Sequence, residues 1–106
     1  MPLLRRTEEL ILLAVLKLGD NAYGVSIRRL LKKATGEDFS YASVYVPLGR
    51  LAEAGLLTAH DGVSAGSRGG RPRRFYRATL AGVEALREAE EVRRELRQGA
   101  VQAALG

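Results

Sequence analysis

The stretch "GLLTAHDGVSAGSRGGRPRRFYRAT", residues 55–79, decides how the chain folds, because the character of the sequence changes within it. Before Gly55 the apolar residues recur at helical spacing. After it "LLTAHD" alternates as a half-buried strand does, and "RRFYRAT" offers a second strand of aromatic and long side chains. Between them "GVSAGSRGG" is too polar and glycine-rich to pack, so the two strands make a hairpin with a long tip. Pro72 suits an edge or a strand start. The same stretch sets five arginines, Arg68, Arg71, Arg73, Arg74 and Arg77, within ten positions. Like charges this dense repel one another, so the segment is comfortable only in water or against a polyanion. Alternation puts Arg71, Arg73, Phe75 and Arg77 on one strand face and Pro72, Arg74 and Tyr76 on the other, so the arginines cannot all touch one ligand.

Working back toward the N-terminus, three helices precede the hairpin. Thr7 is suited to cap the first, with Glu8 and Glu9 at the positive end of its dipole and Gly19 as its stop. Leu10, Ile11, Leu12, Leu13, Ala14, Val15 and Leu16 leave this helix no polar face for almost two turns. A helix apolar all round must be covered on opposite sides. One side can face the chain's own core, and another copy of the chain would cover the other. The second helix is expected from about Ala22 to Ala34, ended by Thr35-Gly36. Ser40 reads as the N-cap of the third, Phe39 can staple onto Val44, and Gly55 closes it. Downstream of the hairpin, Thr79 caps a last helix in which Leu80, Val83, Leu86, Ala89, Val92 and Leu96 form a narrow stripe. A stripe that narrow resembles a helix-pairing seam. Gly99 weakens this helix near its end, and the spacing leaves open whether "AVQAALG" continues it.

Helix, helix, helix, hairpin is the order of a winged helix-turn-helix, a mainly α (α+β) fold with a two-stranded wing, here followed by a C-terminal dimerisation helix. Residues 1–79 are read as the DNA-binding domain and residues 80–106 as the dimerisation helix and tail. In such a fold the third helix enters the major groove and the wing lies on the flanking backbone, so Arg68, Arg71, Arg73 and Arg74 become candidates for phosphate or minor-groove contact. With Val44, Leu48 and Leu51 as the inward stripe of the third helix, Ala42, Val46, Gly49 and Glu53 point outward, with Ser43 and Arg50 beside them. Ala42 and Gly49 let the backbone approach base edges, Val46 can touch a thymine methyl, and Ser40, Ser43 and Arg50 can bond phosphates or bases. Tyr41 and Tyr45 lie between the faces, as phosphate ligands or core-edge aromatics. The dimer surface is expected from Leu10, Leu12, Leu13 and Leu16 of the first helix and Val83, Leu86, Ala89, Val92 and Leu96 of the last.

Composition narrows the alternatives. The chain has 106 residues, no cysteine, a single histidine (His60) and a net charge of +5. Residues 1–79 carry 13 Lys/Arg against 7 Asp/Glu, while residues 80–106 carry 4 against 5, so the positive field belongs to the part read as DNA-binding. Without cysteine there are no disulfides or thiolate metal sites, and a cytoplasmic setting is natural. The longest apolar run, "LILLAVL", is far short of the roughly 20 residues a membrane helix needs. "MPLLRRTEEL" lacks the order of a signal peptide. No nucleophile, base and orienter set can be assembled for an enzyme, and His60 and Asp61, adjacent on a strand, face opposite ways. No cofactor and no metal are expected. A winged fold can also serve RNA or a protein partner, and that reading stands beside the DNA one.

The segments "AYGVSIRRLL", "SVYVPLGRLAEAGLL", "GGRPRRFYRAT" and "LAGVEAL" together resemble the PadR family of bacterial transcriptional regulators, over roughly residues 7–90. The resemblance implies a homodimeric winged-helix regulator, commonly a repressor, whose last helix packs across the partner's first and which in some members answers to an aromatic or drug-like effector. Pro47 and Gly49 depart from the family's pattern, in which these positions are more often polar and charged. A proline there is expected to kink or loosen the third helix and shift recognition toward the wing.

Overall fold

The computed structural model describes residues 3–63 and 72–106. Helices α1 (Arg6–Leu18), α2 (Gly24–Thr35) and α3 (Tyr41–Glu53) are followed by an antiparallel hairpin of β1 (Leu57–Val63) and β2 (Pro72–Ala78). Helix α4 (Leu80–Arg97) and a short α5 (Ala100–Leu105) complete the chain. The architecture is a winged helix-turn-helix with a C-terminal helical arm.

Helix α1 lies at the centre and touches α2, α3, β2 and α4. Its Ile11, Leu12, Ala14 and Val15 are buried with Ile27 and Leu31 of α2, Val44, Leu48 and Leu51 of α3, and Ala85 and Leu86 of α4. The first half of α4 therefore shares one core with the winged helix. From Glu90 onward every residue is exposed. The radius of gyration is 15.9 Å, against about 13 Å for a compact chain of this length. The excess reflects the exposed end of α4 with α5, which meets the body of the fold through the Arg93–Glu9 ion pair.

Local chemistry sets the helix ends. Helix α1 begins one residue before the expected cap: Arg5 is its N-cap, its N–H donates to Glu8 Oε1 at 2.8 Å, and Thr7 sits inside the first turn. The glutamate three places after the cap thus accepts from the cap residue's own backbone N–H, a different donor from those a Thr7 cap would serve. Helix α2 starts at Gly24 rather than Ala22, after a single 3-10 turn at Gly19–Asn21. Ala22 and Tyr23 are instead extended. The Ala22 carbonyl accepts from Tyr76 N–H at 2.8 Å, and Tyr23 bridges to Phe75, adding a stub of third strand to the wing. This explains why Phe75 and Tyr76 are both buried although they point to opposite faces of β2. Helix α3 runs uninterrupted through Pro47, whose ring is buried. Pro47 thus interrupts neither the helix nor its buried face, and the one lost backbone bond is offset by apolar burial.

Thr79 bolts α4 to the α3–β1 turn. Its Oγ1 accepts from Gly82 N–H at 3.0 Å and donates to the Gly55 carbonyl at 2.7 Å, while its N–H donates to the Leu56 carbonyl at 3.1 Å. Gly82 permits this closeness, since a Cβ there would lie 2.2 Å from the Leu56 oxygen. Gly82→Ala is therefore expected to destabilise the protein by about 1–3 kcal/mol in urea unfolding. Gly49→Ala, where a Cβ meets nothing within 4 Å, should instead add about 0.5–1 kcal/mol of helix stability. Equal effects at the two sites would show that α4 does not pack on the Leu56 backbone.

Candidate nucleic-acid interface

Helix α3 turns Val44, Leu48 and Leu51 into the core and leaves Tyr41, Ala42, Val46, Gly49 and Arg50 exposed. Ser40 Oγ accepts from Ser43 N–H at 3.1 Å, and Ser43 Oγ donates to the Ser40 carbonyl at 3.0 Å. Both serines thus cap α3, and any phosphate contact they make shares hydroxyls already engaged. Tyr41 and Tyr45 stack with ring centroids 3.9 Å apart, Tyr41 outermost and Tyr45 half-buried. The Tyr45 ring lies over Gly24, where a Cβ would fall 1.7 Å from its hydroxyl. The Tyr-Gly pair opening α2 is thereby explained: glycine makes room for the phenol of α3. Burial first, and the neighbouring Tyr41 second, push the Tyr45 hydroxyl above its ordinary value, with Arg28 pulling it back. At neutral pH it remains an uncharged O–H donor. Arg28 Nε donates to the Phe39 carbonyl at 3.0 Å, tying α2 to the turn that leads into α3.

Among the described residues Arg50 pairs with no carboxylate. It borders a shallow cavity of about 520 Å³ between α3 and the start of α1, shared with Ser40, Ala42, Ser43 and Val46 and, from α1, Arg5, Thr7 and Glu8. Arg5 is a candidate that the sequence reading missed. The pair Arg5-Arg6 is visible in the sequence, but its position beside α3 depends on how α1 crosses the other helices, which no local pattern encodes.

On the wing, β1 and β2 pair from Leu57↔Ala78 to Val63↔Pro72. Arg73 places its guanidinium 4.5 Å above the Tyr23 ring, Tyr23 meets Phe75 edge-on at 5.6 Å, and His60 stacks on Phe75 at 5.8 Å. Stacking occupies the face of Arg73 and leaves its N–H edges available, so the residue is held in place before any ligand arrives. Arg74 is exposed on the opposite face, without a carboxylate partner among the described residues. Burial raises the hydroxyl pKa of Tyr76 above its ordinary value, and Arg74 lowers it in part. Arg77 is spent on Asp20, at 3.0 Å. Arg68 and Arg71 lie outside the described residues.

A second surface is apolar. Of the residues expected at a dimer contact, Leu13, Leu16, Val92 and Leu96 are exposed and Leu10 and Val83 half-buried. Leu12 is fully buried inside the chain and has no surface left for a partner, Leu86 is nearly so, and Ala89 is buried at the floor of an apolar groove. The reason is angular: successive residues of α1 lie a hundred degrees apart, so Leu12 faces α4 and the core while Leu13 faces out. Leu13 and Leu16 share the side of α1 that carries Glu9, which is buried and ion-paired with Arg93 of α4. A groove of about 630 Å³ runs between the start of α1 and the α4–α5 arm, lined by Leu3, Leu4, Val92, Leu96 and Val101 around this pair. Among the described residues no cluster of His, Cys, Asp and Glu could hold a metal ion, and no helix is long and apolar enough to cross a membrane.

The family model of the transcriptional regulator PadR-like family matches residues 12–88. No curated protein matches the chain. A PadR family transcription regulator from Clostridium difficile superposes with a TM-score of 0.71 at 22% identity, over 96% of this chain and all of that one (100%). A PadR family transcriptional regulator from Eggerthella lenta gives a TM-score of 0.71 at 28% identity, covering 90% of this chain and 80% of that one. A PadR-like transcription factor from Bacteroides fragilis gives 0.70 at 28% identity, covering 92% of each. The family match spans α3, both wing strands and the bolted start of α4, and the chain belongs to the PadR-like family of DNA-binding transcriptional regulators.

Proposed function

We propose that this protein is a homodimeric, cytoplasmic repressor that holds a pseudo-palindromic operator through α3 in the major groove and the wing on the flanking backbone. The observation that carries the reading is the charge on that side of the fold. Around α3 and the wing Arg5, Arg50 and Arg74 are exposed and without carboxylate partners among the described residues, whereas Arg28 bonds the Phe39 carbonyl and Arg77 and Arg93 pair with Asp20 and Glu9. Free guanidinium groups around a bare helix face suit a phosphate backbone.

The dimer is supported by the exposed Leu13 and Leu16 of α1 and by the uncovered arm of Val92 and Leu96. A second copy seated across them would bury both surfaces and place two α3 helices about one DNA turn apart, the spacing a palindrome requires. Residues 1–79 then bind DNA and the arm from residue 80 onward joins the copies. Bound over a promoter, such a dimer occupies duplex that polymerase needs, so repression requires nothing beyond binding. The apolar groove beside Glu9 and Arg93 would be enclosed by the partner. A small molecule lodged there would alter the angle between subunits, which is the place we assign to an effector.

Fragments of the source genome selected by the purified protein should compete better than random duplex or RNA at moderate salt; equal competition by all three would point to the RNA or protein-interaction module instead. Arg50→Ala and Arg74→Ala should each lower the salt slope of binding by about one unit and weaken all duplexes alike. Unchanged slopes in both would mean that these arginines face only water. Leu13→Asp combined with Leu16→Asp should yield folded monomers by light scattering and circular dichroism. Leu12→Asp should unfold the chain, since it buries a charge in the core. A stable dimer from the double variant would place the interface elsewhere.

A further inference from the structure

Between Ser43 and Arg50, the only exposed positions of α3 are Val46 and Gly49. Tyr45 is turned onto Gly24, and Val44, Pro47 and Leu48 are buried. With the Tyr45 hydroxyl turned aside over Gly24 of α2, the outward face in the middle of the helix presents the isopropyl group of Val46, which is 53% exposed. It projects at the cavity between α3 and α1, with Arg5 at one border and Arg50 at another. The one carboxylate there, Glu8, accepts the Arg5 backbone N–H. An apolar centre flanked by free cations matches one surface of duplex DNA: a base edge between two phosphate strands.

Resting on the DNA-binding reading above, we propose that Val46 is a specificity-determining residue that reads the C5-methyl group of a thymine in each half-site. Among major-groove edges the thymine methyl is the apolar group; guanine, adenine and cytosine present donors or acceptors that lose their water against Val46 and gain no partner. The chain thus selects a methyl by contact and rejects the other bases by the desolvation it imposes on them. Cytosine methylated at C5 presents the same group at the same place and is accepted where cytosine is not.

The test uses the operator selected from the source genome, as synthetic duplexes in which each thymine in turn is replaced by uracil, a change that keeps base pairing and removes only the methyl. In each half-site one replacement should weaken binding about fourfold, the factor given by about 0.8 kcal/mol for one buried methyl. The same replacement should cost nothing with Val46→Ala, a change at an exposed position. Placing cytosine there should weaken wild-type binding, and 5-methylcytosine should recover a large part of the loss. If the operator binds and no uracil replacement matters, the inference is overturned while the regulator reading survives. If a uracil effect persists undiminished in Val46→Ala, another residue reads the methyl and the assignment to Val46 is wrong. If no duplex is retained at all, the regulator reading fails and this inference with it.

Discussion

Helix α1 has no side it can leave to water, and that constraint organises the molecule. Ile11, Leu12, Ala14 and Val15 are each at most 4% exposed, and together they require cover from α2, α3, β2 and α4 at once. Each covering element is thereby held at a set angle to the others. The wing stands where β2 crosses α1, and α3 presents its bare face because its apolar stripe is committed to the same helix. Leu13 and Leu16, on the remaining side of α1, carry the same demand outward. The interior that positions α3 and the surface proposed for a second copy are two sides of one helix.

Two close backbone approaches convert that packing into a defined geometry. Gly24 admits the Tyr45 ring, and Gly82 admits the Leu56 carbonyl. The first lets the Tyr45 ring lie against α2 while Val44, Leu48 and Leu51 hold α3 in the core. The second fixes the departure of α4 from the wing, and through it the direction of the arm. Side chains at either glycine would move a functional surface rather than merely loosen the core. The Tyr41–Tyr45 stack adds to this, as a solvent-facing ring lies on one already anchored.

Much of this arrangement is legible in the sequence where it depends on neighbours in the chain. Ser40 and Thr79 cap α3 and α4 as their positions before helical repeats imply, and the change of periodicity at Gly55 marks the hairpin. What is not legible depends on distant partners. Ala22 and Tyr23 continue a helical pattern by spacing, yet they are drawn into extended form by the Tyr76 N–H and by Phe75. A run of apolar residues does not say which member faces inward, so of Leu12 and Leu13, both read as dimer contacts, Leu12 turns out to be core and Leu13 exposed. Pro47 reads only as a source of kinking or loosening, and that its ring belongs to the buried face of α3 depends on the elements packed against it. Arg73 reads as a free cation until Tyr23 arrives beneath it from fifty positions earlier. Glu8 and Thr7 are both able to serve the start of α1, and the choice between them is a matter of one turn.

The way the arginines divide has a bearing on where selectivity arises. Some hold the fold, as Arg28 does through the Phe39 carbonyl, Arg77 through Asp20 and Arg93 through Glu9. Of those with no such partner among the described residues, Arg5, Arg50 and Arg74 border α3 and the wing. Doubled in the proposed dimer, these would make enough phosphate contacts for affinity to fall about a thousandfold between about 50 and about 200 mM salt. That contribution is blind to sequence, so it secures the duplex without choosing among duplexes. Choice must come from groups that touch base edges, and the middle of α3 brings there a single isopropyl group and a glycine. A methyl contact gives only a modest factor per half-site. Symmetry is what makes it useful: two copies multiply the factor, and each mismatched edge adds the cost of polar groups stripped of water. An apolar reading head framed by free guanidinium groups therefore separates holding from reading more completely than a helix of polar side chains, in which the same residues serve both.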